Sequence, residues 1–153
     1  YIVGDAAGHA YRGITPRNRS LFLEPGHAYV YLAYGISYML NVSSEEPGIG
    51  AGVLIRALEP LEGIPIMRIN RGIERVRDLA RGPGKLAAAM RIDRSLDGLD
   101  LCRKGPLWLQ RRDQGPAEIG ESIRTGISRD VHRPLRFYLR GSLFVSGPKS
   151  LNG

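Results

Sequence analysis

Hydrophobic positions along this 153-residue chain come in short runs, and the most organised of them is HAYVYLAYGISYMLNV, residues 27–42. The run alternates loosely and is rich in aromatic and β-branched residues, which predicts a strand or a pair of strands. On a strand Tyr29 and Tyr31 point to one face, with Val30 and Leu32 on the other. Tyr34 stands beside Gly35, where the backbone is expected to turn. VLIRALEP, from Val53 to Pro60, predicts a short buried strand ended by proline. From Ile64 to Leu79, Ile66, Met67, Ile69, Ile73 and Val76 recur at helical spacing, with Arg68, Arg71, Arg75 and Asp78 among them. RGPGK interrupts that pattern, and Leu86 to Met90 restarts it as a short helix. PLWLQ reads as a strand. In PLRFYLRGSLFVS, Leu135, Phe137 and Leu139 share one face and Arg136, Tyr138 and Arg140 the other. Residues 1–26 are rich in Gly, Pro and Arg and read mostly as loop, and SSEEPGIGAG reads as a connection. There is no repeat, low-complexity tract or linker. Short strands with a few helices, in no regular βαβ order, predict an α+β fold. The expectation is one domain over residues 1–153, a curved and mainly antiparallel β-sheet flanked by a few helices.

Composition adds charge to that picture. The formal net charge is +7, and arginine supplies 19 of the 22 basic residues. The planar guanidinium fork can hold two phosphate oxygens at once, so nucleic acid leads the partner classes. A GC-rich genome would also raise arginine over lysine, so the ratio alone does not decide. No apolar run approaches the roughly 18 residues of a membrane span, and no signal-peptide pattern is visible. A single cysteine, Cys102, leaves no internal disulfide to form. His9, His27 and His132 are scattered without metal-ligand spacing, so neither a structural metal nor a cofactor is expected.

The tyrosines carry the candidate chemistry. Four of the seven fall within Tyr29 to Tyr38. One tyrosine on a strand is ordinarily part of an aromatic core face. Several phenols clustered beside GISYMLN instead suit a surface on which a planar base stacks.

HAYRGITPRNRSLF, PGHAYVYLAYGISYMLNV, VLIRALEPLEG and GPGKLAAAM, with RTGI and RPLRFYLRGSLFVS further on, resemble the alkyladenine (3-methyladenine, methylpurine) DNA glycosylase family. The resemblance runs in order over nearly the whole chain. It implies an enzyme that swings a damaged purine out of duplex DNA into an aromatic pocket and hydrolyses its glycosidic bond. Tyr34 then resembles the wedge that fills the vacated stack. Tyr1, His9 and Tyr31 match the residues that stack on or bond to the flipped base. Asn41 matches the asparagine that crowds the purine 2-position and disfavours guanine. Arg56 matches the arginine beside the attacking water, and a buried arginine in an apolar strand also favours a site. Arg17, Arg19, Arg136 and Arg140 are candidate phosphate contacts, each of which could equally be a solvated surface charge. RGPGK lacks the spacing of a P-loop, and Lys85 with nearby backbone N–H groups is a further backbone candidate. The implied partner is double-stranded DNA containing damaged purines, met by a monomer in the cytosol or nucleoid, or in the nucleus of a eukaryote.

The implied reaction also needs a carboxylate to stabilise an oxocarbenium-like sugar or to activate water. The resemblance puts it in a Glu-Ala-Tyr motif whose tyrosine aligns with Tyr1, two residues before the sequence begins, so the chain is expected to be a fragment that binds better than it cuts. Glu59 is three residues past Arg56, and odd spacing on a strand would point it away. Asp5 lies in a loop near the pocket segment. The rival readings are a non-catalytic nucleic-acid-binding domain, an RNA-binding module like the carboxyl-terminal domain of methionyl-tRNA formyltransferase, and a structural protein whose tyrosines are core.

Overall fold

The computed structural model describes residues 1–111, 115 and 117–148. Its centre is an antiparallel hairpin, β1 (Ala28–Ala33) and β2 (Ser37–Ser43), extended by a short third strand, β3 (Gly52–Leu54), in the order β1-β2-β3. The register sets Ala28 against Val42, Tyr29 against Asn41, Val30 against Leu40 and Tyr31 against Met39. Residues directly opposite share a face, so one side of the hairpin carries Ala28, Val30, Leu40 and Val42. These four are buried with Leu86, Ala87, Ala89, Ile92 and Leu101 as the main apolar core.

Three helices follow β3: α1 (Ile64–Arg71), α2 (Val76–Leu79) and α3 (Pro83–Ala89). Helix α3 lies on β2, and the approach is close. A methyl group built on Gly84 would come within 2.9 Å of the Ser37 Cβ. The free edge of β1 is occupied by the chain around residues 94–99. Val30 donates its N–H to the Asp97 carboxylate at 2.8 Å and accepts from the Arg94 guanidinium at 2.7 Å. Ala28 exchanges backbone bonds with Leu99 and Gly98. At Ala28 and Val30 the edge is therefore satisfied without another strand. Strands β4 (Ile119–Ser122) and β5 (Arg136–Leu139) form a second, two-stranded antiparallel sheet.

The fold is α+β with small antiparallel sheets and few helices, as the sequence predicts, but several boundaries move. The strand expected over residues 53–60 ends at Leu54, and the chain then runs on irregularly past Arg56. The helix expected over residues 64–79 divides at Gly72. That glycine is left-handed (φ 64°) and returns its N–H to the Arg68 carbonyl at 2.8 Å, a glycine C-cap stop that periodicity does not register. Stopped after about two turns, α1 turns Met67 toward the core and leaves Ile66 and Ile69 exposed. Helix α3 begins at Pro83, within the segment expected to interrupt it, because proline suits the first helical position. PLWLQ is not a strand; among the described residues its backbone tie to the core segment is Leu109 N–H to the Leu101 carbonyl at 2.7 Å. In β5 the inward face is the polar one: Arg136 is buried, whereas Phe137 and Leu139 are exposed.

Leu86 is fully buried at the centre of the core. Leu86→Ala is expected to cost about 2–5 kcal/mol in urea unfolding. Ile69→Ala, on the exposed side of α1, is expected to stay within about 0.5 kcal/mol of the parent. Equal losses would place the core elsewhere.

Candidate functional site

The second face of the hairpin carries Tyr29, Tyr31 and Asn41. Opposite it, the loop of residues 1–13 folds back to enclose a cavity of about 340 Å³, lined by Tyr1, His9, Tyr29, Tyr31 and Asn41 together with glycines 8, 48, 50 and 52. Such a volume lies within the range of small-ligand sites. The four residues that the sequence nominates for a base pocket, Tyr1, His9, Tyr31 and Asn41, thus border one cavity, although forty positions separate the first from the last.

The walls are held by short-range bonds. Tyr29 and Tyr31 stack with centroids 5.3 Å apart, and the His9 ring meets Tyr31 edge-on at 4.4 Å. His9 Nδ1 is 2.9 Å from the Tyr29 hydroxyl, and Asn41 donates from Nδ2 to the Tyr29 carbonyl at 3.2 Å. His9 itself is positioned by the buried Asn18 side chain. Its amide donates to the His9 and Gly13 carbonyls at 2.9 and 3.0 Å, while its oxygen accepts from the Thr15 N–H and hydroxyl. Gly50 leaves the loop room, since a Cβ there would stand 2.5 Å from both Ala10 and Phe22. Burial pushes the phenols of Tyr29 and Tyr31 up to about 12, each reinforced by a neighbouring phenol; the Arg56 charge acts against the rise at Tyr31.

Arg56 does not line this cavity. It borders a neighbouring one of about 440 Å³ that shares Tyr1, Ile2 and Gly52 with the first, and its Nη2 donates to the Thr125 carbonyl at 2.8 Å. Glu59 borders the same cavity as Arg56. The strand alternation that set the two apart does not apply, because neither is on a strand. Asp5 is fully buried and forked onto Arg124 through both carboxylate oxygens, with the Ala7 N–H as a further donor. Burial raises its pKa, but the Arg124 and Ala7 bonds outweigh that and hold it below the usual carboxylate range.

At the far end of the hairpin stands Tyr34. It is 88% exposed and left-handed (φ 52°), followed by Gly35 (φ 71°) and by Ile36, 82% exposed. A bulky residue with positive φ is uncommon and marks a conformation set by its surroundings. Here the three-residue connection between β1 and β2 holds a bare phenol ring out from the surface.

The basic candidates divide. Arg17, Arg19 and Lys85 are exposed. Arg140 is exposed but lies 3.4 Å from the Glu118 carboxylate. Arg136 is 4% exposed, and its guanidinium donates to the Ser146 carbonyl and the Thr125 hydroxyl. It is therefore turned into the fold, which corrects the expectation of a phosphate contact. Arg124, for which the sequence suggests no role, lies with its guanidinium 5.0 Å from the centre of the Tyr1 ring. Nothing in the pattern distinguishes it from 18 other arginines. Its place in RTGI, among the resembling segments, is its one sequence signal. Among the described residues no three His, Cys, Asp or Glu side chains group as a metal site, and no helix is long and apolar enough to cross a membrane.

Comparison with known proteins agrees in one direction. The profile of the methylpurine-DNA glycosylase family matches residues 1–143. A protein of Mesorhizobium japonicum named "Putative 3-methyladenine DNA glycosylase" is 79% identical over 151 residues, 99% of this chain and 73% of its own length. Proteins with the same name from Paraburkholderia phytofirmans and Methanoculleus marisnigri are 51% and 45% identical. They match 99% and 95% of this chain, and 71% and 78% of their own lengths.

The raised phenols make the pocket testable without ligand. Tyrosine is neutral when protonated, so a folded pKa of about 12 against an unfolded 10 favours the fold below pH 10 and loses that contribution as pH rises through 12. Absorbance titration at 295 nm should show a late step near pH 12 that Tyr29→Phe and Tyr31→Phe each diminish. Complete phenol ionisation by pH 11 with the fold intact would mean that water fills the pocket.

Proposed function

The chain belongs to the methylpurine-DNA glycosylase family, and from that premise we propose that it acts in base-excision repair as a monomer on duplex DNA, extruding alkylated or deaminated purines and hydrolysing their N-glycosidic bonds. The observation that carries the reading is the convergence of Tyr1, His9, Tyr31 and Asn41 on one cavity whose strands end in the projecting Tyr34. An extruded base needs aromatic faces and a few polar edges; the gap it leaves needs a plug. Tyr1 and Tyr31 supply stacking faces, and His9 a ring nitrogen. Asn41 crowds the position where guanine carries its amino group, and Tyr34 enters the gap. Arg17, Arg19 and Lys85 hold the phosphate backbone.

Hydrolysis needs a carboxylate, and we assign that role to neither Asp5 nor Glu59. Asp5 is occupied by Arg124, and Glu59 is solvent-exposed. The base proposed here is the glutamate that the family resemblance puts two residues ahead of Tyr1. Local geometry supports that place. Tyr1 and Gly52 exchange both backbone N–H···O bonds at 3.1 Å along the free edge of β3, as directly opposed antiparallel residues do. A residue two positions earlier on that path would stand opposite Leu54, on the same side as Tyr1 and two residues from Arg56. Arg56 can then orient the water while the carboxylate takes its proton, which a guanidinium cannot do.

Tyr31→Ala should weaken binding of a duplex with one hypoxanthine by about 1–3 kcal/mol, with a much smaller effect on undamaged duplex. Asn41→Ser should relax exclusion of guanine. Affinity should fall with salt at a log–log slope of about −0.9 per phosphate contact, and neutralising Arg17, Arg19 or Lys85 should each flatten it by about one. Binding that ignores salt, or favours tRNA over damaged duplex, counts against the reading.

Catalysis is tested separately. A chain preceded by Glu-Ala should excise hypoxanthine in single turnover about 10²–10⁴-fold faster than residues 1–153 alone, and a Gln-Ala extension should lose that gain while binding persists. Full excision by residues 1–153 would assign the base to another carboxylate.

A further inference from the structure

Behind the Tyr1 ring lies a buried charge pair that the chemistry above does not use. The Arg124 guanidinium sits 5.0 Å from the ring centroid, with its side chain 2% exposed. Asp5, 0% exposed at its side chain, receives both Arg124 terminal nitrogens. The same guanidinium donates to the Asp130 carbonyl at 3.2 Å, and the Asp130 carboxylate accepts from the Ala6 N–H at 2.8 Å. Tyr1 borders both cavities, whereas Arg124 borders only the larger. Tyr1 thus borders the tyrosine pocket, while the guanidinium that lies over its ring does not.

We infer that the Asp5–Arg124 pair sets the pocket's preference between cationic and neutral purines, with Asp5 cancelling a guanidinium that would otherwise repel a cationic base through Tyr1. The inference rests on the proposal that this pocket takes extruded purines. N-alkylation at a purine ring nitrogen such as N7 leaves the base positively charged, while hypoxanthine is neutral. The face of an aromatic ring attracts cations, provided nothing positive and uncompensated stands behind it. A base stacked on Tyr1 would be about 8–9 Å from the guanidinium. At an effective dielectric of about 20, one uncompensated unit charge at that distance changes a binding constant roughly tenfold or more. The pair also ties the loop of residues 5–7 to the segment around residue 130, so it acts on Tyr1 by position as well as by charge. A purely mechanical tie would serve as well with an apolar pair, and only the charged one couples to the charge of the ligand.

The test measures affinity for two duplexes, one carrying an N7-methylpurine and the other hypoxanthine, each with a 2′-fluorine that blocks hydrolysis. Asp5→Asn should lower the ratio of cationic to neutral affinity about tenfold. Arg124→Gln, which leaves the carboxylate alone, should raise it. The double variant Asp5→Asn/Arg124→Gln should return it to the parent value, whatever both substitutions cost in thermal stability. Opposite shifts that cancel in the double variant are the signature of charge; a tie that acts by shape alone lowers both affinities together. An unchanged ratio in either single variant that keeps its circular-dichroism spectrum, or a ratio that stays shifted in the folded double variant, overturns the inference, with Arg124→Gln and the double variant deciding should Asp5→Asn unfold. If the parent protein itself does not distinguish either lesion from undamaged duplex, the proposed function has failed, which is a separate outcome.

Discussion

The structure depends first on the register of one hairpin. With Val30 opposite Leu40 and Tyr29 opposite Asn41, Ala28, Val30, Leu40 and Val42 enter the core while Tyr29, Tyr31 and Asn41 on the other face wall the pocket. A slip of one residue would send the tyrosines into the core and the valines into the cavity. Two things fix the register. The apolar set Ala28, Val30, Leu40 and Val42 packs with Leu86, Ala87 and Ala89 of α3, and the three-residue connection at Tyr34 sets the length of the turn. Packing, the pocket and the projecting phenol are thus consequences of one pairing.

The pocket's other wall is loop, and loop stays in place only where its polar groups are satisfied. Three buried side chains do this. Asn18 ties residues 9 to 15 with four hydrogen bonds, and Asp5 with Arg124 ties residues 5 to 7 to the segment around residue 130. Removing one partner of the buried ion pair leaves a lone charge and costs more than the pair contributes. Loop closure over the hairpin is therefore electrostatic at one end and amide-mediated at the other.

Much of this is readable in the sequence. Alternation in residues 27–42 predicts the strands, Gly35 the turn, and the clustering of phenols the pocket wall. What is not readable depends on contacts far apart in the chain. Arg136 and Arg140 look alike in PLRFYLRG, yet the first is buried against Ser146 and the second is exposed beside Glu118. Arg124 has no periodic signal at all, because its partner is 119 positions away. The break at Gly72 is local chemistry overriding a helical period, and the early end of β3 at Leu54 removes the face assignment that separated Glu59 from Arg56. Local pattern finds the hairpin; only the fold finds what is laid across it.

The most direct test is a crystal structure of the chain bound to a duplex with a single cleavage-resistant damaged purine. The account predicts the purine outside the helix, its ring against Tyr1 and Tyr31 with His9 at its edge, and the Tyr34 ring in the gap it left. A complex in which the damaged base remains stacked in the duplex while the tyrosine cavity stays empty would contradict it.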